Sequence, residues 1–220
     1  MTFLRTLIVS LFFLIVSLVG ATALVVVGAA IYFAPGLPDV RQLQDFELHT
    51  PLRIFTQDGK LIGEFGEERR MAINFDQIPQ DMINALIAAE DASYFDHAGV
   101  DPRGLARAAV ELVQSGGTIQ SGGSTITMQV ARNYMLTLDQ TFTRKIREIL
   151  LALQMEQVLN KEEIFELYVN KIFLGNRAYG IAAAAETYYD KPLAELNLAQ
   201  TAMIAGLPKA PSAFNPLANS

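Results

Sequence analysis

The run PQDMINALIAAEDASYFDHAGVDPRGLARAAVELVQSGG, Pro79 to Gly117, holds two helical patterns that meet at a pair of adjacent carboxylates. Ile83, Leu86 and Ile87 recur at helical spacing, and Glu90 continues their apolar stripe, with Pro79 near the start where a missing amide hydrogen does least harm. Asp101 is placed to cap a second helix with Pro102 in its first turn, and Gly116-Gly117 ends it. Asp91 to Val100 is then a loop, and Glu90-Asp91 stands where an apolar face meets that loop. Partial burial disfavours an ionised carboxylate, which makes Glu90 a candidate general base. A plain cap or salt bridge at the helix end fits the pair equally well. His97, close by, reads as a hydrogen-bonding scaffold residue, whereas His49 carries no signal.

Working toward the C-terminus, SGGTIQ and SGGSTI (Ser115 to Ile126) form a weak glycine-rich tandem that predicts a mobile loop. Ser124 is expected to cap the helix that follows. On that helix Thr125, Gln129, Arg132 and Asn133 fall at i, i+4, i+7 and i+8, one polar stripe on an apolar segment. A solvated face explains such a stripe as well, but Gly122-Gly123-Ser124 leaves amide hydrogens free at a helix start, where phosphate oxygens bind. TRKIRE, Thr143 to Glu148, gathers Arg144, Lys145 and Arg147 in one turn and sets Glu148 four residues beyond Arg144. Arginine and lysine together suit a pyrophosphate, although an ordinary surface ion pair, worth about 0.3–0.5 kcal/mol, has the same spacing. Thr143 is expected to cap a helix from Arg144, Asn160 with Glu163 another, and Ala178 to Tyr188 and Leu198 to Leu207 read as two more helices, the last closed by Gly206 and Pro208.

Toward the N-terminus, Arg53 to Thr56 and Leu61 to Phe65 read as short strands around an Asp58-Gly59 turn. Pro35, Gly36 and Pro38 open a connector that runs to Pro51. No charged side chain occurs from Thr6 to Pro38, and Leu7 to Ala34 exceeds the roughly 20 residues a bilayer crossing requires. A cleaved signal peptide, favoured by Ala21 and Ala23, has an apolar core of only about 7–15 residues, so an anchor is the better reading. Arg5 before the span, against Asp39, Arg41, Asp45 and Glu47 after it, favours a cytoplasmic N-terminus. The resulting division is 1–34 stub and anchor, 35–51 connector and 52–220 a mainly α domain.

The 220 residues contain no cysteine, which removes disulfides and thiol chemistry, and the net charge of -6 excludes any general attraction to nucleic acid. An anionic substrate therefore has to meet a local cationic cluster. Zinc-type clusters, Walker and GxGxxG phosphate loops and a Ser-x-x-Lys are all absent from the sequence.

Read in order, these segments resemble the family 51 peptidoglycan glycosyltransferases, especially the 1A branch of the class A penicillin-binding proteins. The carriers are AAEDASYFDHAGVDPRG (Ala88 to Gly104), GGSTITMQVARN (Gly122 to Asn133), RKIRE (Arg144 to Glu148) and KEEIFELYVNKIFLG (Lys161 to Gly175). RAYG (Arg177 to Gly180) and GLPKAPSAFNP (Gly206 to Pro216) point to the 1A branch. The resemblance implies a lysozyme-like α fold, with a cleft between a larger lobe and a membrane-proximal jaw. Its implied substrates are lipid II as acceptor and a growing glycan strand on polyprenyl pyrophosphate as donor, with inversion at the anomeric carbon. By the same resemblance Glu90 is the base and Glu148 a second catalytic glutamate. Asp91, His97, Thr125, Gln129, Arg132, Asn133, Arg144 and Lys145 are substrate-site residues, the cations lying near the pyrophosphate.

No cofactor is required by this reading, magnesium or manganese is allowed by it, and the inner membrane and cell-wall synthesis proteins are the expected surroundings. Departures are Met128 for a common glutamine, Arg132 for lysine, Tyr94 for phenylalanine and Gln200 for glutamate. Relatives continue past LPKAP into a transpeptidase, so the chain is expected to be the N-terminal part of such a protein. A lytic muramidase on the same fold and a non-catalytic membrane scaffold are the rival readings; the Arg144-Lys145 pair argues against the former, which needs no pyrophosphate grip.

Overall fold

The computed structural model describes residues 2–44, 52–58, 61–65, 69–115, 123–136 and 142–217. Its helices in chain order are α1 (Thr2–Phe33), α2 (Gln80–Glu90), α3 (Pro102–Gln114), α4 (Ile126–Met135), α5 (Phe142–Val158), α6 (Lys161–Lys171), α7 (Ile181–Tyr189), α8 (Leu198–Gly206) and α9 (Pro211–Phe214). Four short strands accompany them: β1 (Leu52–Phe55), β2 (Leu61–Phe65), β3 (Arg69–Arg70) and β4 (Ala178–Tyr179). The architecture is mainly α, as expected.

α1 is apolar along its length, and Leu14, Leu18, Leu24 and Ile31 are exposed. It is long and apolar enough to cross a membrane. Thr22 returns its hydroxyl to the Leu18 carbonyl at 2.8 Å, the usual way a helix interior accommodates a polar side chain in lipid. Past the span, Asp39 caps the turn Val40–Leu43 by accepting from the Arg41 amide, and Val40 and Leu43 are buried in the domain core.

β1 and β2 pair antiparallel, Leu52 opposite Phe65, with an irregularity between Ile54 and Phe55. This is the expected hairpin, although Gly59 of its turn lies outside the described residues. α4 is the central helix: it packs on both α5 and α6, while α2 packs on α8. Ile126, Met128, Val130 and Ala131 of α4 are fully buried and meet a core built from Leu86, Tyr94, Leu151, Met155, Phe165 and Tyr168.

Several expected caps hold. Asp101 accepts from the Arg103 and Gly104 amides, and Asn160 with Glu163 forms a reciprocal capping box. Ser124, however, does not cap α4. Thr125 does, accepting from the Met128 amide, because the Ser124 hydroxyl is taken by Lys145 at 2.6 Å. Thr143 likewise is not the residue before its helix; it lies inside α5, which begins at Phe142.

The expected helix from Ala178 is corrected in the same way. Ala178–Tyr179 is a strand that pairs parallel with β3, and α7 starts only at Ile181. Gly180 enforces the break: its φ is +90°, and a Cβ there would stand 3.0 Å from the Val169 carbonyl oxygen. α8 ends at Gly206, with Leu207–Lys209 a tighter turn beyond it. Of the expected mobile loop from Ser115 to Ile126, residues 116–122 lie outside the described residues, Ser115 closes α3 and Ile126 already opens α4.

Candidate active site

α2 terminates at Glu90, so the carboxylate stands on the last turn, half-buried, where the chain leaves the apolar face. Gln129, one turn into α4, donates its side-chain amide to Glu90 Oε2 at 2.8 Å. Gln129 of the polar stripe read from the sequence is therefore turned toward Glu90 rather than to solvent.

Asp91 and His97 are both sequestered. His97 Nε2 lies 3.1 and 3.0 Å from the two Asp91 oxygens, and Asp91 Oδ2 also accepts the Ile126 amide at 3.0 Å. One carboxylate thus ties the loop after α2 to the first turn of α4. Thr125 completes the tie by donating its hydroxyl to the Gly99 carbonyl at 2.6 Å. Gly99, at φ +84°, is pressed so close to α5 that a Cβ would fall 2.6 Å from the Ala152 carbonyl oxygen. Behind it, Thr127 and Lys161 both donate to Glu156, each at 2.7 Å, and the Lys161 ammonium stands 4.4 Å over the Tyr94 ring. Tyr94 donates to the Lys161 carbonyl at 2.7 Å, so its hydroxyl is satisfied. Burial, then the charges of Glu156 and Asp91, keep that phenol well above its usual pKa.

The cations occupy the first turns of α5. Glu148 is 1% exposed and lies between Arg144, Nε to Oε1 2.9 Å, and Lys145, Nζ to Oε2 3.4 Å. The Arg144 contact is a charge pair off the line of a hydrogen bond. The Lys145 ammonium is pushed below its ordinary pKa by burial, Glu148 opposes that shift, and Arg132 and Arg144 add to it. Arg132 therefore belongs to the same field as the α5 cations.

A cavity of about 250 Å³ opens beside Glu90. Asp91 and Ser93 line one side of it, Asp101 and Arg107 of α3 another, and Gly123 and Ser124 a third. Ser124 couples the two halves of the site, since its hydroxyl stands at the cavity wall and accepts from Lys145. Glu90, Gln129, Arg132, Lys145, Glu148 and Arg144 thus form one connected region, whereas Asn133, half-buried on α4, shows no bond to it among the described residues. Met128 points away into the core, fully buried. Sequence reasoning did not find Arg107 or the role of Ser124; the spacing Arg103, Arg107 on one face of α3 was the available signal for the former.

Among the described residues no group of three or more His, Asp or Glu side chains is arranged to hold a metal ion. The acidic groups nearest Glu90 are engaged, Asp91 with His97 and an amide, Asp101 with two amides. These residues do not fit a resident divalent cation.

A family model described as Transglycosylase matches residues 58–220. Penicillin-binding protein 1A of Pseudomonas aeruginosa is 59% identical over 204 residues, 93% of this chain and 25% of that protein. The protein of that name from Vibrio cholerae is 47% identical over 217 residues, 99% of this chain and 26% of the relative. That of Escherichia coli is 52% identical over 186 residues, 84% and 22%. The chain spans about a quarter of the length of these relatives.

Proposed function

This chain belongs to the transglycosylase family, and we propose that its globular part is a peptidoglycan glycosyltransferase that polymerises lipid II into β-1,4 glycan strands. Glu90 takes the proton from the acceptor 4-hydroxyl as that oxygen attacks the anomeric carbon of the donor strand. The C–O bond to the polyprenyl pyrophosphate breaks, its electron pair leaves with the pyrophosphate, and the configuration inverts. Gln129 holds the base in place. Lys145, Arg144 and Arg132 stabilise the charge that develops on the leaving group. Glu148, almost wholly buried, acts as a positioning residue that holds two of those cations, and Asp91, His97 and Thr125 fix the loop and helix start from which Glu90 and Gln129 project.

The observation that carries this reading is the Lys145–Ser124 bond at the wall of the Glu90 cavity, which brings a base and a phosphate-binding cation to one space. α1 keeps the site at the surface of the inner membrane, where the lipid-linked substrates reside, with the N-terminus cytoplasmic and the domain outside. No step is routed through a metal. Purified chain in detergent is given lipid II, and separately finished cell wall. Release of polyprenyl pyrophosphate from lipid II is expected; solubilisation of the wall without that release identifies a muramidase instead.

A further inference from the structure

Tyr168 of α6 has 1% of its surface exposed and packs against Phe165, ring centroids 6.2 Å apart, yet its hydroxyl has no hydrogen-bond partner among the described residues. Native interiors seldom keep a buried hydroxyl without a group it can reach, because the desolvation cost is otherwise uncompensated. α6 packs on α4, the helix that carries Gln129 and Arg132, and the Tyr168 hydroxyl lies in the combined field of Glu90, Arg132 and Asp91. Burial first, and then the Glu90 charge, hold its pKa well above the usual phenol value, so it is a donor throughout the working range.

The two carboxylates whose charge acts on it are not equivalent. Asp91 has both oxygens on His97 and one also on the Ile126 amide. Glu90 receives Gln129 on Oε2, and its Oε1 has no bond to any described residue. A carboxylate with one free oxygen and a phenol with one free hydrogen are complementary.

We propose that the Tyr168 hydroxyl, through one bridging water, is the second donor to Glu90 and so a positioning residue for the base. With Gln129 and Tyr168 on opposite oxygens, the carboxylate is held against rotation as the cavity fills and dries. The inference rests on Glu90 being the base. The other charged groups around it are Asp91 with His97 on the loop, Arg132 on α4, Asp101 and Arg107 across the cavity, and Lys145 with Glu148 on α5.

The test is the titration of Glu90 in the full chain in detergent, followed by carbon NMR of labelled glutamate carboxyls, the signal assigned by its loss in Glu90→Gln. Tyr168→Phe is expected to raise the Glu90 midpoint by about half a unit or more, because removing a donor disfavours the carboxylate, and to lower polymerisation kcat about tenfold at unchanged KM. Tyr134→Phe is the control: its hydroxyl donates to the Leu167 carbonyl at 3.1 Å, so the substitution lowers the melting temperature and leaves the Glu90 midpoint alone. An unmoved midpoint in a folded Tyr168→Phe, or an equal movement in Tyr134→Phe, overturns the proposal whether or not the wild type polymerises. Failure of the wild type to polymerise sinks the activity reading alone. The contact is also read without a substitution at 168, in fluorotyrosine-labelled chain. There the Tyr168 resonance titrates with Glu90 and ceases to in Glu90→Gln; indifference to that change overturns the proposal.

Discussion

Lys145 faces two partners of different character, the Ser124 hydroxyl at the cavity wall and the buried Glu148 behind it. Its function in the proposed chemistry needs the charged form, and burial favours the neutral one. The rate is therefore expected to fall as pH rises through a value below that of an ordinary lysine, and Lys145→Arg to move that limb upward, because arginine stays protonated. Rate–pH profiles of the two proteins decide it, and coincident alkaline limbs would remove Lys145 from the site. Lys145→Met is expected to slow polymerisation about a hundredfold, the scale of losing one preorganised charge donor. A different outcome is expected of Asp91→Ala, which strands the Ile126 amide and costs about 1–3 kcal/mol of stability, measurable by denaturant unfolding. That Glu90 stands at a helix end and that Arg144, Lys145 and Glu148 meet on one helix was readable from residue type and spacing. The bracing work of Asp91 was not, because its amide partner lies 35 residues away and depends on the packed loop.

At the scale of elements, caps are legible where one candidate side chain stands alone, as at Asp101 and Asn160. Where two stand side by side, Ser124 and Thr125, tertiary contacts choose: Lys145 draws off the serine and Gly99 accepts from the threonine. The alanine-rich run after Ala178 has the composition of a helix throughout, yet its first two residues pair with Arg69 and Arg70 far back in the chain. Helix propensity lost there to a strand partner that no local pattern reveals. The glycine at 99 makes the sharpest prediction at this scale. Gly99→Ala forces both a positive φ on a side-chain residue and a clash with Ala152, so the loop must shift, the Thr125 anchor is lost, and stability falls by more than about 1 kcal/mol in thermal unfolding. Asn160→Ala, by contrast, removes only a cap and costs about 1 kcal/mol.

Taken whole, the molecule is a helical domain preceded by an apolar helix whose side chains are mostly exposed among the described residues. Nothing among the described residues shields Leu14 or Leu24, so the span requires lipid or detergent. Full-length chain is expected in the membrane fraction after sedimentation, and a variant lacking residues 1–34 is expected to be extracted without detergent; membrane retention of that variant would place the anchoring surface elsewhere. Hydropathy alone made the long apolar helix legible. The cavity was not, since it is assembled from α2, α3 and the chain entering α4, and only their packing brings Arg107 and Ser124 to Glu90.

In the proposed reaction the Glu90 carboxylate removes the acceptor's proton within reach of the α5 cations. The initial rate of polyprenyl pyrophosphate release from lipid II by folded Glu90→Gln, set against wild type under the same detergent conditions, tests it directly. A fall of about a thousandfold or more is predicted, with the melting curve retained; a rate within tenfold of wild type contradicts the account.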